Sequence, residues 1–270
     1  MDRRPIGVFD SGLGGLTAVR ELARLMPEEE LVYFGDTGRV PYGGRSRDIL
    51  VQYARQDVRF LRSFDPKAIV IACGTVSSTA LDVLRRENDI PVFGVVEPAA
   101  RAAAECSANG RVGLIGTKAT IRSGAYEREL LRLRPDAVVT AEACPLFVPL
   151  VENGRFRPGD SVVETVAAEY LAPMKAQGVD TLILGCTHYP LIKEMIGWYM
   201  GRNVTLVDPA QTAAHHLERT LSERGLKGNH EKGEAHFYVS DVPDSFAQTA
   251  DLFLGEYKGG FIDQIAIDKY

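Results

Sequence analysis

Thr181-Leu182-Ile183-Leu184-Gly185-Cys186-Thr187-His188 is a short apolar run that closes on glycine, cysteine and two polar residues. An earlier stretch, Ala68-Ile69-Val70-Ile71-Ala72-Cys73-Gly74-Thr75, repeats its plan. Such runs read as buried strands, and the polar turn as the strand's carboxyl end. Further pairs keep the same order at an offset of about 110 residues, as an internal repeat does. Val95-Val96-Glu97-Pro98-Ala99 matches Leu206-Val207-Asp208-Pro209-Ala210, and Gly43-Gly44-Arg45 matches Asn153-Gly154-Arg155. The opening Val8-Phe9-Asp10-Ser11-Gly12 aligns with Leu114-Ile115-Gly116-Thr117. The chain reads as two similar α/β halves.

Working outward, strand and helix patterns alternate, which implies mostly parallel sheets covered by helices. Strands are expected at 6–10, 31–35, 67–72, 91–96, 111–115 and 235–240. Helices are expected at 16–26, 48–63, from 77, at 99–108 and at 244–254. Residues 36–46 form a polar loop, and 225–233 is the candidate surface loop. The 270 residues carry 31 Lys plus Arg against 36 Asp plus Glu, a net charge of −5. That balance lacks the basic footprint of a nucleic-acid binder. No apolar run approaches the roughly 18 residues of a membrane span. The strand pattern at Ile6 leaves no room for a signal-peptide core, so a cytoplasmic protein is expected. The four cysteines, at 73, 106, 144 and 186, are expected to be free thiols. Their spacing suggests no zinc site.

Ligands bind beyond the carboxyl ends of parallel strands, where Cys73 and Cys186 both fall. Each precedes a helix pattern, whose free N–H groups would lower a thiol pKa by a unit or more. Cys106 and Cys144 lack the duplicated context and read as small buried hydrophobes. Two facing halves would put one thiol on each side of a cleft. A carbon acid held there could lose a proton to one sulfur and regain one from the other, inverting its centre without metal or other cofactor. Asp10 could orient the first thiol, and His188 or Glu152 the second. Ser11, Thr75, Thr117, Thr120 and Thr187 supply hydroxyls suited to a carboxylate. Tyr42-Gly43-Gly44 could bring backbone N–H groups close to a ligand.

At these residues the chain resembles the glutamate racemases of the aspartate/glutamate racemase superfamily. The matching stretches are Asp10-Ser11-Gly12-Leu13-Gly14-Gly15, Val40-Pro41-Tyr42-Gly43, the Cys73 turn, Gly116-Thr117 with Thr120, Pro149-Leu150-Val151-Glu152 and Gly185-Cys186-Thr187-His188-Tyr189-Pro190. The resemblance implies a cofactor-independent enzyme that exchanges the α-proton of L- and D-glutamate. Cys73 would act on the D-enantiomer and Cys186 on the L-enantiomer, assisted by Asp10, Glu152 and His188. Ser11, Pro41, Tyr42, Gly43, Thr75, Thr117, Thr120 and Thr187 match substrate-binding positions, alongside Asp10, Cys186 and His188. The implied fold is two pseudo-symmetric α/β domains, residues 1–97 plus 208–270 and residues 98–207, with the active site between them. A homodimer supplying D-glutamate to peptidoglycan is implied as well.

One position departs from the family. Where it usually reads Ala-Cys-Asn-Thr-Ala, this chain has Ala72-Cys73-Gly74-Thr75-Val76. Gly74 loses the hydrogen bonds of the amide side chain, which leaves another acidic amino acid such as aspartate open as substrate. Restoring asparagine is expected to alter affinity more than inversion. A different class, a nicotinamide-dependent oxidoreductase, is imitated by the glycines after β-pattern 6–10 and by Asp36. Thr17 stands where that fingerprint needs its third glycine.

Overall fold

Apolar runs of four to six residues become strands here because helices cover both their faces, as in parallel sheets generally. The computed structural model describes residues 2–257 and 260–270. The strands among them are β1 (Ile6–Asp10), β2 (Leu31–Gly35), β3 (Ala68–Ile71), β4 (Val92–Gly94), β5 (Arg111–Gly116), β6 (Val138–Ala143), β7 (Thr181–Gly185), β8 (Thr205–Val207), β9 (Ala235–Val239) and β10 (Ile262–Gln264). They form two sheets, ordered β10-β9-β2-β1-β3-β4 and β6-β5-β7-β8. The pairings among the described residues are parallel.

The order β6-β5-β7-β8 is the order β2-β1-β3-β4 with the numbers advanced by four. The repeat read in the sequence is thus a repeat of topology, and β3 corresponds to β7. The seam between the halves includes the helices Val96–Cys106 and Pro209–Glu223, which pack together. Ala99, Ala100 and Ala103 of one and Ala210, Ala213 and Ala214 of the other are buried, so small side chains let these helices approach. A continuous apolar cluster joins β1 and β3 residues such as Val8 and Val70 to Leu182 and Leu184 of β7.

Several elements differ from expectation, among them the strand expected at 91–96, which ends at Gly94 because a helix opens at Val96. The helix after Cys73 begins at once, as Gly74–Thr79, and a second follows at Leu81–Glu87. The helix expected at 99–108 starts at Val96, because Pro98 is tolerated in a first turn and Val96, Ala99, Ala100 and Ala103 bury one face. Strand β10 gave no apolar run to read; it exists through its pairing with β9. Among the described residues no helix is long and apolar enough to cross a membrane.

A buried ion pair ties the amino end to the loop 225–233. Lys67 Nζ lies 2.5 Å from Glu29 Oε2, with side chains 0% and 1% exposed. Lys67 also donates to the Asp2 carbonyl at 2.9 Å, and Gly228 N donates to Glu29 Oε1 at 2.7 Å. Lys67→Met leaves the Glu29 carboxylate buried without its cation, and is expected to cost about 3–5 kcal/mol. Urea unfolding measures this; a loss below about 1 kcal/mol would mean that Glu29 finds other compensation.

Candidate active site

Each of the two cysteines stands where its sheet ends. Cys73 follows β3 and occupies the cap position of the helix Gly74–Thr79. Cys186 follows β7, but the next element is a 3-10 helix, Tyr189–Ile192, so the expected α-helix terminus is present at Cys73 alone. Both residues line one cavity of about 520 Å³. Its walls also carry Ser11, Pro41, Tyr42, Gly43, Gly74, Thr75, Thr117, Glu152, Thr187 and His188. Cys73 is 4% and Cys186 8% exposed, so both thiols sit in low-dielectric surroundings.

Asp10 and Thr120 do not line the cavity; they stand one layer behind it. Asp10 is fully buried at the end of β1, and its Oδ2 accepts from Gly12 N at 3.0 Å. Its Oδ1 has no hydrogen-bond partner. Thr120 supports Thr117: their hydroxyl oxygens are 3.0 Å apart, and Thr117 Oγ1 accepts from Thr120 N at 3.2 Å. Thr117 Oγ1 is also 2.9 Å from Thr75 Oγ1, which joins the two halves across the cavity.

The glycine-rich turn after β1 has a steric cause. A Cβ on Gly14 would fall 2.1 Å from Thr187 Oγ1 and 2.6 Å from His188 Nδ1. One on Gly15 would fall 2.3 Å from Asp10 Cβ. Gly14 admits the turn of the other half and Gly15 the buried Asp10, so the space a dinucleotide would need is filled by protein. Asp36, the acidic residue of the oxidoreductase reading, points inward and is fully buried. It accepts from Arg39 Nε at 2.6 Å, from Ser240 Oγ at 2.7 Å and from the Tyr42 hydroxyl. Tyr42 therefore shows the cavity its ring and backbone, while its hydroxyl is spent on a buried carboxylate.

Burial, helped by the nearby Asp10 carboxylate, pushes the Cys73 thiol up to about 12. The Ser11 hydroxyl, 3.4 Å from Cys73 Sγ and able to donate to the thiolate, and the Val76 N–H of the short helix oppose this without winning. The lowered thiol expected from the sequence is thus corrected, because desolvation outweighs one helix terminus. For His188, burial disfavours the charged ring, but bonds to Cys186 and Glu152 prevail and hold it at about 10. Its Nδ1 lies 3.9 Å from Cys186 Sγ, and its Nε2 2.9 Å from Glu152 Oε1. At neutral pH a cation separates that carboxylate from that sulfur. Burial raises the Asp10 carboxyl as well, against the pull of the His188 charge.

Among the wall residues that were not anticipated, two carry chemistry. Cys144 is buried and lines the cavity just after β6, so the strand-end rule that selected the other two cysteines also applied to it. Lys118, exposed at the rim, adds a cation facing the same space. Cys106, read as a buried hydrophobe, is exposed at the end of its helix. All four cysteines are free thiols.

The family model for Asp/Glu/Hydantoin racemase matches residues 19–217. The chain belongs to this racemase family. A glutamate racemase of Geobacter metallireducens is 45% identical over 99% of this chain and 98% of its own length. The crystal structure of a Francisella tularensis glutamate racemase in complex with D-glutamate superposes with a TM-score of 0.93 at 38% identity, covering 100% of both chains. That of Thermus thermophilus, in complex with beta-chloro-D-alanine, gives 0.89 at 44%, again over 100% of both. The racemase match contains Cys73, Glu152, Cys186 and His188, and stops short of Asp10 at its amino end.

Within this racemase scaffold Gly74 has a role that its missing amide did not suggest. A Cβ there would lie 2.5 Å from the Gly185 carbonyl oxygen, which is backbone of the other half. A side chain must push the two strand ends apart before it can bind anything. Gly74→Ala and Gly74→Asn are both expected to lose about 1–3 kcal/mol of stability in urea unfolding. Full stability in Gly74→Asn would show that the halves separate freely. The raised His188 has a second consequence. Its stabilisation is complete below about 6.5, the ordinary histidine value, and is lost as pH climbs through about 10. Unfolding midpoints should fall across that window, and His188→Asn should flatten the fall.

Proposed function

We propose that this protein is a cofactor-independent glutamate racemase in which Cys73 and Cys186 work as a thiol and thiolate pair. The observation that carries the reading is that the two cysteines, one from each half, line the walls of a single cavity. The Cys186 thiolate, beside the His188 cation, takes the α-proton of L-glutamate. The Cys73 thiol, protonated at rest, gives its proton to the opposite face of the carbanion, and D-glutamate results. The reverse reaction exchanges these duties. Between L-to-D turnovers Asp10 relays a proton back to the Cys73 thiolate while Cys186 releases the one it took to solvent, and Glu152 helps to keep His188 charged. Ser11, Pro41, Tyr42, Gly43, Gly74, Thr75, Thr117 and Thr187 hold the substrate through hydroxyls, backbone N–H groups and cavity shape, with Thr120 supporting Thr117 from behind. High identity to glutamate racemases over nearly the full chain supports glutamate over aspartate.

The same reading divides the chain into residues 1–97 plus 208–270 and residues 98–207, which agrees with the membership of the two sheets. It makes the protein a cytoplasmic homodimer that supplies D-glutamate for peptidoglycan.

The test incubates each glutamate enantiomer with the protein in D2O, without added cofactor. Circular dichroism should decay to zero while deuterium enters at Cα. Cys73→Ser and Cys186→Ser should each slow inversion at least about a hundredfold, as loss of a general acid or base does. Full-rate inversion in either variant would refute the two-base assignment, and faster turnover of aspartate would refute the substrate.

A further inference from the structure

The loop that brings Tyr42 to the catalytic cavity is held from behind by a buried charge cluster. Asp36, just after β2, and Asp57, on the helix Arg47–Arg62, have side chains 0% exposed. Arg39 stands between them, at the end of the 3-10 turn Thr37–Arg39. Its Nε donates to Asp36 Oδ2 at 2.6 Å, its Nη2 to Asp57 Oδ1 at 2.7 Å and its Nη1 to Gln56 Oε1 at 2.5 Å. Its guanidinium carbon lies 4.2 Å from the centre of the Tyr53 ring. Tyr53, Gln56 and Asp57 share one face of their helix, as residues three and four apart do. All three nitrogens of the fork are engaged and one of its faces is covered, a planar set of contacts that a lysine ammonium does not reproduce.

Two carboxyl groups here share one cation. Among the described residues Arg39 is the cation paired with either. Burial and the neighbouring Asp36 charge push the Asp57 carboxyl well above its usual range. The other bonds of Asp36 run outward. Its Oδ2 also accepts from the Tyr42 hydroxyl, which lies 3.3 Å from Asp57 Oδ2, and its Oδ1 accepts from Ser240 Oγ at 2.7 Å. Tyr42, Gly43 and Gly44 line the catalytic cavity, and Arg39, Asp36 and Asp57 do not. Beyond the tyrosine, the Gly43 carbonyl accepts from Ala119 N of the second half at 2.9 Å. The loop is thus tied to the other half at one end and to the arginine cluster at the other.

We propose that Arg39 is a positioning residue for the substrate: through Asp36 it fixes the Tyr42 hydroxyl, and with it the ring and backbone that Tyr42 and Gly43 present to the cavity. The cluster lies behind the cavity wall and touches no reacting atom. It therefore supports the ground state and the transition state alike, and its loss weakens binding while the bound complex still turns over. The inference rests on the racemase reading, which gives Tyr42 and Gly43 to the substrate.

Two variants cut this chain of contacts at different links. Arg39→Lys keeps the charge and loses the fork; Tyr42→Phe keeps the ring and loses the hydroxyl. Each is expected to raise the KM for glutamate about tenfold, the worth of one hydrogen bond. Each should leave kcat within about twofold of the parent, as loss of uniform binding does. The double variant R39K/Y42F should be no worse than the more impaired single variant, because both substitutions break one connection. A merely structural role moves a different quantity: less folded protein lowers the apparent kcat and leaves KM alone. An unchanged KM in R39K, a loss confined to kcat, or losses that multiply in the double variant would each overturn the proposal. Should R39K not fold, a parent-like KM in Y42F overturns it as well. A parent protein that racemises no glutamate overturns the racemase reading and this inference together, whereas an active parent whose KM the two substitutions leave unmoved overturns this inference alone.

Discussion

Two strand ends from different sheets approach here until backbone meets backbone. Gly74 faces the Gly185 carbonyl, and Gly14 faces Thr187 and His188, at separations that leave no space for a β-carbon. This steric closeness is the condition for everything else at the site. It brings one thiol from each half to a shared cavity and sets Thr75 against Thr117. It also shuts the bottom of the cleft, so that both sulfurs are nearly out of solvent. Side chains at these glycines would not merely crowd a pocket; they would part the halves of the molecule.

Exclusion of water then decides the charges. In low-dielectric surroundings an unpartnered thiolate is costly, and a neighbouring carboxylate makes it costlier. Cys73 has such a neighbour in Asp10, whereas Cys186 has an imidazole held charged by Glu152. Topology makes the halves alike, and the second layer of residues makes their chemistry unlike. A pair of identical side chains is thereby placed in unlike electrostatic surroundings.

The plan of the fold was legible because burial on both faces writes continuous apolar runs, and because the repeat wrote them twice. The strand-end rule then located Cys73 and Cys186. What stayed hidden depends on distance across the chain. Gly74 looked like a missing amide, since no local signal announces a carbonyl from residue 185. The direction of the Cys73 shift was misread because a helix terminus is visible in sequence and depth of burial is not. Asp36 resembled a ribose ligand until Arg39, Tyr42 and Ser240 were seen to enclose it. Cys144 fitted the rule that found its neighbours and was set aside for want of a repeat partner.

The unequal surroundings of the two sulfurs have a thermodynamic corollary. Mirror-image amino acids are isoenergetic, so their interconversion has an equilibrium constant of one, whatever protein catalyses it. The ratio kcat/KM must then be identical in the two directions at every pH. An asymmetric site can express its bias only through compensating changes in kcat and KM: the enantiomer that is bound more tightly must also be the one turned over more slowly.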